Sequence, residues 1–133
     1  MAAKQIEEGP FSLRRTATFD FIEGLNRTKE ALREQGFDIT TSLDVSGPVE
    51  NACAILGIWD ADLLRRALSI DPAATTLFPF SVSVHDDDDG IVIRAVDPTA
   101  TLGNLNNHGI ADIAAEVRQR LMSALSRLPA GPR

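Results

Sequence analysis

The residues best suited to chemistry stand in one run, His85-Asp-Asp-Asp-Asp-Gly90, where four carboxylates follow one of the two histidines in the chain. Such a run can ligate a cation, dock a basic partner, or make a turn. A calcium loop between helices needs acids at alternate positions, glycine at the sixth and a bidentate glutamate at the twelfth. With Gly90 at the sixth position, His85 falls at the first and Val96 at the twelfth, so the first ligand is wrong and the bidentate one is absent. Adjacent aspartates on an extended chain also point to opposite sides and do not converge. The sequence therefore predicts no metal site. An exposed acidic tip would speed encounter with a basic partner, but no second feature supports that reading. The turn reading explains the flanks as well. Placing Val84 opposite Ile91, Val82 opposite Ile93 and Phe80 opposite Ala95 makes every inward residue meet an inward residue. Asp87–Gly90 then closes the hairpin, with Gly90 in the left-handed position and aspartates as ordinary turn formers.

The remaining chemical residues are dispersed. His85 lies on the polar side of its strand, and His108 stands in Asn106-Asn-His-Gly109 where a helix begins and polar residues cap. Neither has a His or Cys at metal-ligand spacing. Cys53 lies on the most apolar strand, where cysteine acts as a small hydrophobe. Trp59-Asp60 marks the handover from a strand to a helix. Strand ends build ligand sites and Trp lines pockets, although a core Trp59 and a capping Asp60 is the plainer reading. Trp59, Asp60, Phe80, Asp97 and His108 make up the candidate ligand site, with Asp97-Pro98 and the loop 99–107 as its lid. No residue is assigned a catalytic role and no cofactor is expected. Glycine-rich phosphate motifs and the serine nucleophile elbow are missing from the sequence, and it contains no tyrosine.

The elements that must position these residues follow from periodicity. With 133 residues the chain suits one domain, expected over 11–128 with tails at 1–10 and 129–133. Phe11, Leu13 and Ala17 alternate with polar residues as a strand, with Arg15 an exception on the inward parity. Asp20 and Glu23 read as a capping box, followed by Phe21, Leu25, Thr28 and Leu32 on one helical face and Gly36 as the left-handed stop. Gly24 inside that helix costs about 1 kcal/mol relative to alanine, which close backbone packing would offset. Phe37–Val45 alternates cleanly, and Ala52–Ile58 is a continuous apolar run, read as a strand buried on both faces. A short helix from Asp60 ends at Asp71-Pro72. The final helix, about 107–128, repeats apolar residues at i, i+3, i+4 and i+7. The order β-α-β-β-α-β-β-α, with short connections inside two strand pairs, predicts an α+β two-layer sandwich: a mostly antiparallel five-stranded sheet with helices on one face.

Composition excludes several functions. Nineteen acidic residues against 13 basic give a net charge of −6, which repels phosphate backbones, so no nucleic-acid partner is expected. No run approaches the roughly 18 apolar residues of a membrane span, and the N-terminus lacks the apolar stretch of a signal peptide. With a single cysteine, the expectation is a cytoplasmic protein without an internal disulfide.

The signature Leu25-x6-Leu32-x3-Gly36-Phe37, then Ile55-Leu-Gly-Ile58, Asp71-Pro72, Leu77-Phe-Pro79, Asp89-Gly-Ile-Val92 and Val96-Asp-Pro98, occurs in order over about residues 11–128. It resembles the prokaryotic family called domain of unknown function 302. The resemblance implies a fold related to the TATA-binding-protein arrangement and a homodimer, and it implies no activity. Trp59-Asp60-Ala61 stands where the family often has Cys-Asn-Pro, and Phe78-Pro79-Phe80 where it often has Leu-Pro-Cys, so thiol or metal chemistry at those cysteines is closed to this chain. Two functions compete: a non-enzymatic homodimeric binding or assembly module, and a small-ligand or enzymatic site near Trp59, Phe80 and Asp97. For the first, Val92 and Val96 are expected to face away from the helices, joined by Leu56 and Ile58, as the dimer interface.

Overall fold

A computed structural model describes residues 6–47, 51–88, 90–102 and 106–129. Outside the described residues lie the start of the expected N-terminal tail, nearly all of the C-terminal one, Asp89 of the acidic run and positions 103–105 of the expected lid.

Alternation makes the strands. In β2 (Ser12–Ala17) every second residue is buried: Leu13, Arg15 and Ala17. A two-residue strand β1 (Glu7–Glu8) folds back onto it through a turn closed by the Gly9 N–H donating to the Ser12 carbonyl at 2.8 Å. Part of the expected tail is therefore sheet, and Ile6 joins the core. Two residues carry no readable period, which is why β1 escapes sequence analysis.

Helix α1 (Phe21–Glu34) starts as its sequence demands. Asp20 is the N-cap, and its carboxylate accepts the Glu23 N–H at 2.9 Å. At Gly24 a Cβ would collide with Ile91 Cδ1, so the glycine lets the helix lie close on the sheet. The helix ends at Gln35, and Gly36 takes φ 88°, the left-handed stop. Strands β3 (Asp38–Asp44) and β4 (Cys53–Trp59) follow as an antiparallel pair with a bulge between Ile39 and Thr41. Helix α2 (Ala61–Ile70) runs from its Asp60 cap to Asp71, which also caps a short 3-10 helix, Pro72–Leu77. Strands β5 (Phe80–Asp87) and β6 (Gly90–Val96) form the last hairpin. A five-residue helix α3 (Pro98–Leu102) lies within the expected loop, and α4 (His108–Ser126) buries Ile110, Ile113, Ala114, Val117, Leu121, Ala124 and Leu125.

The sheet has six strands rather than five, in the order β1-β2-β6-β5-β4-β3, with every neighbouring pair antiparallel. The β5–β6 register is shifted by two residues from the expected one: Val84 faces Ile93, Val82 faces Ala95, and Asp87 faces Gly90. The strands simply run further, through two of the four aspartates. A shift of two keeps side-chain parity, so the inward set is unchanged. Gly90 takes φ 144°, and a Cβ there would meet the Ala17 carbonyl.

One sheet face carries the core. Leu13, Ala17, Ile91, Ile93, Ala95, Phe80, Val82, Val84, Leu56 and Ile58 pack there against buried residues of α1, α2 and α4. Arg15 also points inward, 2% exposed, where its Nη2 donates to the Leu128 carbonyl just beyond the end of α4. A cation at the carbonyl end of a helix is favourably placed. Leu56 and Ile58, expected on the outer face, lie beneath the helices with no exposed surface. Their partners decide it: Leu56 stands opposite Val82 and Ile58 opposite Phe80, and cross-strand partners share a face. An unbroken apolar run hides its own parity.

Candidate functional site

The strand-end candidates are positioned by antiparallel pairing. Since β4 and β6 finish where β5 begins, Trp59, Phe80 and Asp97 share one end of the sheet. Trp59 is half-buried and Phe80 is buried, with its ring 4.9 Å from that of Phe78.

The two aspartates are held by arginines. Asp60 accepts the Asp62 N–H at 3.2 Å and Arg120 Nη1 at 2.8 Å. Burial pushes its pKa up, but the bonds from Arg120 and the Asp62 N–H outweigh that and hold it below its ordinary value. Arg120 also reaches Glu116 at 2.7 Å, and Glu116 takes Arg66 at 2.8 Å, so the chain Asp60–Arg120–Glu116–Arg66 ties α2 to α4. The Arg120 guanidinium stands 5.7 Å above the Phe37 ring. Asp97 is 7% exposed and accepts Thr99 Oγ1 at 2.7 Å, the Thr99 N–H at 3.1 Å and Arg118 Nε at 3.2 Å. Its burial likewise pushes the pKa up, and Thr99 and Arg118 pull it down further than burial raises it. Arg118 in turn meets Glu8 of β1 at 2.7 Å.

These partners separate the candidates. Arg118 and Arg120 are two residues apart, about 200° around a helix, so Asp60 and Asp97 grip opposite sides of α4. His108 is an exposed residue at the start of α4, behind the Asn107 cap whose Oδ1 accepts the Ile110 N–H at 3.1 Å. From there to the arginines is roughly 15–18 Å along the helix axis. The five residues do not converge on one volume. Both aspartates have pKa values held down and carboxylates engaged by arginine and backbone donors, an arrangement that fixes elements rather than moves protons. Two surface cavities, of about 430 and 410 Å³, lie elsewhere: one along the start of α1, the other between the 3-10 helix and the start of α4.

Sequence reasoning missed the basic half of these networks. Arg66, Arg118 and Arg120 read as dispersed charges, and only the i, i+4 pairs Asp62/Arg66 and Glu116/Arg120 carry a local signal. Their partners across elements do not. At the acidic tip, Asp87 Oδ1 accepts the Asp88 N–H at 2.9 Å, a turn bond. Among the described residues no three His, Cys, Asp or Glu side chains come together to hold a metal ion. No helix of the described residues is long and apolar enough to cross a membrane.

The second face of the sheet carries the opposite residue set. Register places Leu43, Ile55, Ser83, Arg94 and Arg14 side by side in one row across five strands. Next to it run Cys53, His85, Val92 and Thr16. Leu43 is 57% exposed and Ile55 36%. Val92 lies on this face too but is buried, and Val96, expected to face away from the helices, is half-buried and packed against the core. Cys53 is half-buried opposite His85, and burial pushes its thiol pKa up, outweighing Arg94 nearby, so the thiol is not activated. Arg14 is tied to Glu7 of β1. Arg94 is exposed and, among the described residues, meets no carboxylate.

The family model described as "Domain of unknown function DUF302" matches residues 13–128. No curated protein matches the chain. The crystal structure of an uncharacterised conserved DUF302 protein from Bacillus stearothermophilus superposes with a TM-score of 0.82 at 21% identity, covering 90% of this chain and 98% of that one. At that identity the likeness speaks for the fold. The match over residues 13–128 spans nearly the whole chain and takes in every element after β1: the chain belongs to the DUF302 family.

Proposed function

We propose that the protein is a non-enzymatic assembly module that pairs with a second copy of itself through the helix-free face of its sheet. The observation that carries this reading is the row Leu43–Ile55–Ser83–Arg94: two exposed branched aliphatics and an arginine without a carboxylate partner among the described residues. A solvated sheet face ordinarily alternates to polar residues, and Leu43 and Ile55 depart from that.

Size and charge favour a second copy as the occupant. Strands spaced about 4.8 Å and rising about 3.3 Å per residue give five strands of this length roughly 500–600 Å² in projection. Side-chain relief brings that toward the ~800 Å² per partner of a standard interface. Arg94 stands toward one flank of this face with no carboxylate partner among the described residues, and the exposed Asp38 stands on the other, opposite Trp59. A two-fold axis parallel to the strands superimposes each flank on its opposite. Ile55 then packs on the stem of the partner's Arg94. The perpendicular two-fold would oppose Arg94 to the partner's Arg94 and is disfavoured.

The test is sedimentation velocity from 1 to 100 µM, concentrations that bracket weak and firm dimers. A dimer is expected, and Arg94→Glu is expected to weaken it at least tenfold. A strict monomer across that range, or a dimer indifferent to both Arg94→Glu and Ile55→Glu, would remove this reading.

A further inference from the structure

The cavity between the 3-10 helix and the start of α4 is lined by none of the five candidate ligand-site residues. It holds about 410 Å³ and is lined by Ala73, Ala74, Leu77 and Ile110 as apolar wall and by Asp71, Thr76, Asn106 and Asn107 as polar rim. Its floor is firm, because Ala74 and Ile110 are 4% and 5% exposed. A small-molecule site has this make-up: a few hundred Å³, an apolar wall and a few convergent polar groups.

The rim selects the charge. Among the described residues its one charged lining group is the Asp71 carboxylate, and no basic side chain lines the cavity. Asp71 uses Oδ1 to accept the Ala73 N–H at 2.9 Å, which leaves Oδ2 as an acceptor. Thr76 spends its proton on the Ala73 carbonyl at 2.8 Å and so presents lone pairs. The start of α4 borders the same cavity, and a helix N-terminus carries about half a positive charge. The Asn107 carbonyl oxygen already caps that end by accepting the Ile110 N–H at 3.1 Å, whereas the carboxylate carries a full charge. The net charge of −6 acts in the same direction.

We infer that this cavity is a binding site for a small organic cation, a primary ammonium on a compact apolar body. The ammonium is held by Asp71 Oδ2 and the Thr76 hydroxyl, and the body lies against Ala74, Leu77 and Ile110.

Saturation-transfer NMR on the full chain tests it with three probes sharing one body: phenethylamine, 2-phenylethanol and 3-phenylpropionate. The amine is expected to bind at least tenfold more tightly than the acid, with the alcohol between. Asp71→Asn keeps a residue able to cap the 3-10 helix and removes the charge, so it is expected to abolish the preference for the amine. Ala73→Trp, at an exposed position of the wall, is expected to fill the cavity and stop binding of all three. Equal affinity for amine and acid, no binding of the amine, or amine binding that survives Ala73→Trp would each overturn the assignment. Melting temperatures of both variants near that of the parent confirm that each is folded.

Discussion

Ile55 and Leu56 are neighbours in β4 and meet opposite environments. Leu56 is sealed against the helices, while Ile55 stands 36% exposed on the other face between Leu43 and Ser83. The two side chains are nearly isosteric, so whatever separates them comes from the layer each one faces. The covered face holds the fold together. The open face has residues of similar kind with nothing described against them, which is why it is the better place to look for a partner. The sharpest way to break this contrast is Leu56→Ala. Removing a buried leucine costs about 2–5 kcal/mol through lost transfer energy and the cavity left behind. Urea denaturation should show that loss, with the midpoint falling and the slope unchanged. A loss under 1 kcal/mol would mean the covered face is not the tight layer it is taken to be.

Gly24→Ala probes the same layer from the helix side. Helix propensity alone predicts a gain of about 1 kcal/mol. The new methyl, however, would collide with Ile91 Cδ1, and Ile91 is only 1% exposed. Overpacking of this kind costs about 1–3 kcal/mol, so the net change should be a destabilisation. Ile91→Val removes the colliding atom itself. Combined with Gly24→Ala it should recover part of the loss, which thermal melts of the four proteins in the cycle would show. A stabilised Gly24→Ala protein would place α1 further from the sheet than described here.

Asp97 carries the contrast to the end of the sheet, where charge rather than packing joins strand to helix. Its pKa lies below the ordinary carboxylate value, because Thr99 and Arg118 together outweigh the upward push of burial. The unfolded chain therefore binds this proton more readily than the folded one. The stabilisation is present above the ordinary carboxylate range, about pH 4, and is lost as the pH falls through the folded-state pKa. Asp97→Asn should lower stability at pH 7 by roughly 1.5–3 kcal/mol, the worth of a hydrogen bond to a charged group. The gap in melting temperature between parent and variant should then close as the pH falls below the ordinary carboxylate range. A gap independent of pH would show that Asp97 acts by shape alone.

The parts of the fold legible in the sequence were those governed by neighbours along the chain. The Asp20 cap, the Gly36 stop and the close packing at Gly24 each follow from a few adjacent residues and a known local cost. The hairpin at the aspartates was legible too, and even its two-residue register error left the facing intact, since parity survives an even shift. Parity in β4 was not legible, because Cys53–Trp59 offers no polar residue to mark a side. Strand β1 was too short to show a pattern. The candidate site fared worse for a related reason. Asp60 and Asp97 look like open carboxylates until their partners are known, and those partners, Arg120 and Arg118, lie 60 and 21 residues away. The inward Arg15 was visible as a break in alternation, but its acceptor, the Leu128 carbonyl, is 113 residues distant.

The smallest expected effect on stability is the one that bears most on function. Ile55→Ala removes an aliphatic side chain from the open face, where much of it already meets water. For the isolated chain the loss should stay within about 1 kcal/mol, near the range of ordinary surface substitutions, against several for Leu56→Ala one position on. If the open face is where two copies meet, the same substitution must also weaken association, because the partner loses an apolar surface it had desolvated. The two readouts separate cleanly when stability is measured at nanomolar concentration by Trp59 fluorescence and association at micromolar concentration by sedimentation. A face that only meets water gives a small change in the first and none in the second. An interface gives a small change in the first and a loss of dimer in the second, growing in the order Ile55→Ala, then Arg94→Glu, since the second puts a desolvated carboxylate against the partner's Ile55 and Leu43.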